Sequence, residues 1–251
     1  MDEEPGAGTA DFGPDGKMIL TGSYDGKARL REVATGKLIG KSMDQVEGIN
    51  AVALRPDGRH VITASARIAQ LYDSATGRPV GPPIEHLGYV TCVAFSPDGR
   101  RILTGGRDRI AQLRDSATLR PIGRPMAHGV AVLVVAFSPD GQMILTVDND
   151  RTARFWDADT GLCVGKIPPM GEPILAGAFR PHARGLQIFD GRKAWNWPIP
   201  APIAGDLATI ERDVQVMTGR EFDPFDGLVD LGGPLWHGRQ RVSAAGRSSS
   251  R

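Results

Sequence analysis

The feature that most constrains this chain is a tripeptide that keeps returning. Pro14-Asp15-Gly16, Pro56-Asp57-Gly58, Pro97-Asp98-Gly99 and Pro139-Asp140-Gly141 are followed by a worn copy, Pro181-His182, so the prolines step by 42, 41, 42 and 42 residues. A period of this length implies an array of supersecondary units, each unable to bury its apolar face alone and therefore stacked on its neighbours. Pro presets φ at the first central position of a tight turn while Asp and Gly suit the next two, so the tripeptide is turn chemistry. An alternating run such as Val93-Ala94-Phe95-Ser96 precedes the turn and a β-rich run such as Arg101-Ile102-Leu103-Thr104 follows it. Strand, turn and strand predict a hairpin in every unit.

A third strand follows, seen in Ala28-Arg29-Leu30, Ala69-Gln70-Leu71, Ala111-Gln112-Leu113 and Ala153-Arg154-Phe155, where the small and the large apolar residue share one face. It ends at Arg31, Tyr72, Arg114 and Trp156, each followed by an acid: Glu32, Asp73, Asp115 and Asp157. A second turn, as in Ala75-Thr76-Gly77 or Asp159-Thr160-Gly161, leads to a fourth strand such as Pro79-Val80-Gly81 or Leu162-Cys163-Val164. The 32 Gly and 19 Pro fit many short strands and tight turns better than long helices, which makes the fold class all-β.

Four strands per repeat, closed by Pro-Asp-Gly and Thr-Gly turns and by a Trp-Asp ending, resemble the WD-repeat β-propeller family over residues 9 to 197. The fourth repeat matches best, with His128-Gly129, Phe137-Ser138-Pro139-Asp140-Gly141, Asp150 and Phe155-Trp156-Asp157. The resemblance implies about five four-stranded antiparallel blades within residues 1–203, in units near 9–43, 44–85, 86–127, 128–169 and 170–203. Arg31 and Arg114 stand where Trp is usual, the second repeat is one residue short between Thr63 and Leu71 and lacks its turn Asp, and the fifth keeps only Pro181 and Trp195-Asn196. No fourth strand precedes the first strand near residues 10–13, and Pro198, Pro200 and Pro202 interrupt the last run, so an incomplete ring is expected.

Beyond the repeats, Leu207, Ile210, Val214 and Met217 form one stripe at spacings of 3, 4 and 3, with Asp206 in the first turn and Gly219 placed as a stop. These residues predict a short helix inside a segment, 204–236, that packs on the last blade. Residues 237–251 carry Arg239, Arg241, Arg247 and Arg251 without an acid and read as a disordered basic tail. With Leu207-Ala208-Thr209-Ile210-Glu211, Thr218-Gly219-Arg220-Glu221 and Gly227-Leu228-Val229, the 206–231 segment also resembles the tail of certain planctomycete-type bacterial WD-repeat proteins, many with a serine/threonine kinase domain upstream.

The search for chemistry finds structural explanations instead. Gly36-Lys37-Leu38-Ile39-Gly40-Lys41-Ser42 has three residues between its glycines where a phosphate loop needs four. The histidines at 60, 86, 128, 182 and 237 lack metal-ligand spacing, and Asp11-Phe12-Gly13 lies in a propeller strand, away from any kinase loop. The family resemblance implies that His86 bonds Asp108, that His128 bonds Asp150, and that Trp156 bonds a strand hydroxyl, Thr146. No cofactor or metal is expected. The near-balance of 30 basic and 29 acidic residues gives no field for nucleic acid, and the longest apolar run, residues 130–137, is too short to span a bilayer. The acidic start and the isolated Cys92 and Cys163 fit a cytoplasmic protein.

In a propeller of this kind, partners dock on the face formed by the loops between fourth and first strands and between second and third strands. Those loops offer Glu47, Tyr89 and Glu172 from one set and Tyr24, Arg67, Arg107 and Asn149 from the other. The leading expectation is a non-enzymatic scaffold for proteins or peptides, as the regulatory or sensing arm of a bacterial kinase signalling protein. Two alternatives are a small-ligand-binding or catalytic propeller and a truncated fragment without a role of its own.

Overall fold

Each Pro-Asp-Gly turn closes a hairpin. In the computed structural model the glycines of the first four turns have φ of 68°, 71°, 69° and 72°, and each donates its N–H three residues back, to Gly13, Arg55, Ser96 and Ser138 at 2.8–2.9 Å. Glycine holds such φ values without the Cβ clash that other residues meet there. The structure describes residues 6–167 together with the strands Ala176–Phe179, Gly185–Phe189, Ala194–Pro198, Arg220–Asp223 and Gly227–Asp230. Among the described residues there is no helix, and hence none long and apolar enough to cross a membrane.

The first blade comprises β1 (Ala7–Phe12), β2 (Met18–Ser23), β3 (Lys27–Glu32) and β4 (Met43–Asp44). The second comprises β5 (Ile49–Leu54), β6 (His60–Ser65), β7 (Ile68–Asp73) and β8 (Ile84–Glu85), and the third β9 (Val90–Phe95), β10 (Arg101–Gly106), β11 (Ile110–Asp115) and β12 (Met126–Ala127). The fourth holds β13 (Val132–Phe137), β14 (Met143–Asp148), β15 (Ala153–Asp157) and β16 (Cys163–Ile167). Each is an antiparallel sheet whose strands pair in sequence order. A fifth sheet has β17 (Ala176–Phe179), β18 (Gly185–Phe189) and β19 (Ala194–Pro198), and a hairpin of β20 (Arg220–Asp223) and β21 (Gly227–Asp230) lies near β16. The helix expected at 206–217 falls outside the described residues.

The fourth strands differ from the expectation in the first three blades. Pro79 and Pro121 make only an isolated bridge each, and the ladder resumes further on, at Ile84–Glu85 and Met126–Ala127. Pro has no N–H to donate, and between the two segments Gly40, Gly81 and Gly123 hold φ of 66–70°. Gly40 has a second reason to be glycine: a Cβ there would sit 2.3 Å from the Ser74 carbonyl of the next blade. In the fourth blade, where Leu162-Cys163-Val164 replaces the Pro-containing run, β16 is continuous.

Blade stacking follows from alternation along β2 and β3. Leu20, Ala28, Leu30 and Met43 of the first blade pack on Val52, Leu54, Val61 and Tyr72 of the second, all at most 6% exposed. The same positions recur as Ile62, Ala69, Leu71 and Ile84 against Val93 and Ile102, and as Leu103, Ala111, Leu113 and Met126 against Val135, Ile144 and Trp156. Fully burying one such side chain contributes about 1.5–3 kcal/mol. Polar bonds cross the same seams, from the Asn50 amide to the Val90 carbonyl at 3.2 Å and from Leu54 N–H to the Asp11 carboxylate at 2.8 Å. Burial pushes the Asp11 carboxyl up from its ordinary range. On the first blade the side corresponding to Leu54 is uncovered: Phe12 is 59% exposed where Leu54 is 6%.

Candidate partner-binding face

The ties inside the blades come first, because they decide which polar groups are left over for function. The interior of three blades contains one threonine hydroxyl, on Thr63, Thr104 and Thr146, each fully buried. A buried hydroxyl without a partner is costly, so each requires one. Thr104 meets His86 Nε2 at 2.8 Å, and His86 Nδ1 lies 2.9 Å from Asp108. Thr146 accepts from Trp156 Nε1 at 2.8 Å. Thr63 is served by Gln45 Nε2 at 2.6 Å. Gln45 stands one repeat before His86, and an amide needs no carboxylate behind it, which fits the missing turn Asp of that blade. The sequence reading overlooked Gln45, although its place one period upstream of His86 was the available signal.

His128 departs from the expected pairing. Its carboxylate partner is Asp148, 3.1 Å from Nδ1, and not Asp150, whose carboxylate instead accepts Thr152 N–H at 3.1 Å. The reason lies one residue after the strand glycines. In the third blade that place is Gly106, where a Cβ would point to within 3.1 Å of the Asp108 carboxylate and 3.4 Å of His86 Nδ1. Asp148 fills that space in the fourth blade, so its carboxylate reaches the imidazole first. Arg154 bonds the same oxygen of Asp148. Burial opposes ionisation of Asp148, but hydrogen bonds with His128 and Asp150 and the charge of Arg154 outweigh it and hold this carboxyl far below the usual range. Because Trp156 has taken Thr146, His128 Nε2 is buried without a partner.

Thr104, His86 and Asp108 have the connectivity of a nucleophile–base–acid triad, but Thr104 is 0% exposed and no substrate reaches its hydroxyl. The geometry makes a tie, not an active site. Where Arg replaces Trp, the guanidinium turns to the turn below: Arg31 donates to the Gly36 carbonyl at 2.9 Å and Arg114 to that of Leu119 at 3.0 Å. The Cys92 thiol, desolvated by burial, is pushed up to about 12 and is not a nucleophile near neutral pH. Among the described residues no group of His, Cys, Asp and Glu could hold a metal ion.

The loops of the candidate face are held by backbone bonds between blade elements. Val90 N–H donates to Ala66 at 2.7 Å, His86 N–H to Arg67 at 2.9 Å and Arg107 N–H to Tyr89 at 2.8 Å. These bonds gather Arg67, Tyr89 and Arg107, and the Ser65 hydroxyl, donating to the Glu47 carbonyl at 2.8 Å, ties the Glu47 loop to the same blade as Arg67. A cleft of about 300 Å³ opens between Val46 and Glu47 on one side and Tyr89 on the other, floored by Ala66, Arg67 and Ile68. The Arg107 guanidinium lies over the Tyr89 ring, 5.7 Å from its centre. Tyr24 and Asn149 occupy the corresponding turns of the first and fourth blades, outside this cleft, and Glu172 lies outside the described residues. A second cleft of similar volume lies on the opposite face between Pro97 and Pro139, but its Asp98 and Asp140 are engaged by Ser96 and Ser138 at 2.6 and 2.5 Å.

Sequence reasoning named Tyr24 but missed the two most prominent side chains of the face, Val46 and Leu87. Val46 is 99% exposed, Leu87 87% and Tyr24 76%, the three highest values among the described large apolar residues. Val46 and Leu87 each follow the residue that serves the blade's threonine, Gln45 and His86. Their signal was an apolar residue where the fourth repeat has Gly129.

The model of the WD domain, G-beta repeat, matches residues 8–31, 77–115 and 119–157. Three segments of the chain are thus similar to the WD40 repeat. The gap in that match, 32–76, contains the blade with the shortened turn, Gln45 and Tyr72. Among solved structures, a chain of "Crystal Structure of Mitotic Checkpoint Complex" aligns with a TM-score of 0.71 at 19% identity, over 80% of this chain and 63% of that one. The fold is that of a WD-repeat propeller, and the chain spans less than two thirds of the matched chain. A comparison with curated proteins finds no match.

Proposed function

We propose that this chain binds a protein or peptide partner through the cleft face of its second and third blades, without catalysis of its own, as the regulatory or sensing arm of a bacterial kinase signalling protein in the cytoplasm. One observation carries the binding face: the three most exposed large apolar side chains, Val46, Leu87 and Tyr24, all belong to loops of that face. Exposed apolar side chains beside a cleft cost solubility unless something covers them, and Tyr and Arg beside them are the residue types enriched where binding energy concentrates. The kinase connection is supported by the resemblance of residues 206–231 to tails of kinase-linked repeat proteins.

A photo-crosslinking amino acid at position 87, compared with one at the exposed Leu162 on the opposite side, tests both parts in the native cell. A discrete adduct at 87 and none at 162 is expected, and it should contain a kinase domain. Equal adducts at the two positions refute the face, and a specific adduct without a kinase refutes the signalling role.

A further inference from the structure

Three arginines of the cleft face have exposed side chains and no ion pair: Arg67 in the cleft floor, Arg107 over Tyr89, and Arg109 two residues on. The acids around them are differently disposed. Asp108 is taken by His86 and by Leu87 N–H at 3.3 Å, Asp25 by Arg29 at 2.7 Å, and Asp148 by His128 and Arg154. Glu47 and Glu85 remain. Glu47 belongs to the loop between the first and second blades, whereas Arg107 and Arg109 belong to the third, so the face has an apolar centre with its positive side toward the third blade.

Two further features bear on how these cations are presented. Stacking on Tyr89 restricts the Arg107 guanidinium before any ligand arrives, so less side-chain entropy is lost on binding. Arg109 sits at φ +68°, a position that Gly26 fills in the first blade at φ +77°. A residue with a Cβ is strained in that conformation relative to glycine. The third blade bears this strain and gains an exposed cation on the face.

We infer that the ligand of this face is an acidic peptide segment of another protein, carrying an apolar side chain for the cleft between Val46 and Tyr89 and, next to it, one or more carboxylates for Arg67, Arg107 and Arg109. The inference rests on the proposed face and adds the chemistry and direction of what binds. The apolar side chain is buried over Ala66 and Ile68, the Leu87 side chain closes the rim, and the carboxylates run toward the third blade. A basic segment meets three unpaired guanidinium groups and is rejected.

The test is selection of a random displayed peptide library against the full chain, followed by fluorescence anisotropy of an enriched peptide. Peptides with Asp or Glu beside Leu, Ile or Phe are expected. Exposed ion pairs are modest, so Arg67→Glu and Arg107→Glu should each weaken such a peptide about fivefold, and added salt should weaken it too. Arg67→Lys with Arg107→Lys should retain most of the binding, and Val46→Asp with Leu87→Asp should abolish it. All these side chains are on exposed loops, and unchanged thermal melts check that the variants fold. Enrichment of basic peptides, or of acidic ones indifferent to the arginine reversals but lost with Val46→Asp and Leu87→Asp, overturns the ligand chemistry and leaves the face standing. Peptides indifferent to all of these substitutions overturn the face itself, and no enrichment at all overturns the inference.

Discussion

Replacing Asp148 tests the tie in the fourth blade most directly. In Asp148→Ala, His128 Nδ1 and Arg154 both lose their carboxylate partner, and Thr152 N–H loses one of two acceptors, each at 3.1 Å. Neither His128 nor Asp148 has an exposed side chain, and the Arg154 side chain is 11% exposed, so water does not readily replace what is lost. Removing one member of a buried charged pair costs about 3–5 kcal/mol. Asp150→Ala forfeits one turn bond, to a Thr152 N–H that Asp148 also holds, and its hydrogen bond with Asp148, together a loss of about 1–2 kcal/mol. Urea unfolding of the two variants beside the parent, compared at equal slope, gives the difference. Equal losses, or a larger loss for Asp150→Ala, would refute the pairing.

The same carboxylate makes a pH prediction. The folded-state pKa of Asp148 lies below its ordinary 3.8, so its contribution to stability is present in full above that value and is lost as the pH falls through the folded pKa. The stability gap between the parent and Asp148→Asn should therefore be constant near neutrality and shrink only in acid, below pH 3.8. A gap that shrinks between neutrality and pH 5 would place the titrating group elsewhere.

Three other substitutions probe separate parts of the argument. His86→Gln should keep the Thr104 bond, as Gln45 does with Thr63, and cost about 1 kcal/mol less than His86→Ala in urea melts; equal costs would mean that the hydroxyl bond is immaterial. Gly16→Ala meets open space and should pay only the left-handed backbone penalty of about 1 kcal/mol, whereas Gly40→Ala also drives its Cβ into the Ser74 carbonyl and should lower the melting temperature distinctly further. Leu54→Ala should cost about 2–5 kcal/mol. Phe12→Ala, at the corresponding but uncovered position, should cost little and reduce any self-association seen by sedimentation, and equal losses of stability would show Phe12 to be covered in solution.

The parts of the structure legible in the sequence are those set by local periodicity. The Pro-Asp-Gly turns and the Ala-x-Leu pattern of Ala69 and Leu71 depend on residues close in the chain, so spacing alone places them. The tie of His86 to Asp108 is readable by repeat comparison because Gly106 leaves room for it. That of His128 was not, since the comparison aligns Asp150 with Asp108 and cannot show that Asp148 occupies the intervening space. Gln45 escaped for a related reason: it shares no residue type with His86, only the task of bonding a buried threonine. The broken fourth strands were misplaced because Gly40, Gly81 and Gly123 turn the chain out of the ladder at positive φ; the first blade, with Leu38 in place of proline, breaks at the same point.

These cases point to a division of labour along each loop between a fourth and a first strand. Gln45 and His86 face inward, where a buried threonine hydroxyl must be met and different side chains are accepted if they meet it; His128 also faces inward but bonds Asp148, because Trp156 has taken Thr146. The next residue, Val46, Leu87 or Gly129, has no internal task, and at Val46 and Leu87 it is almost fully exposed. The interior does not account for an apolar side chain there, because removing it would leave every tie and every blade seam unchanged. In the binding reading proposed above, contact with a partner accounts for it. That reading applies to the second and third blades and not to the fourth, where Gly129 presents no side chain.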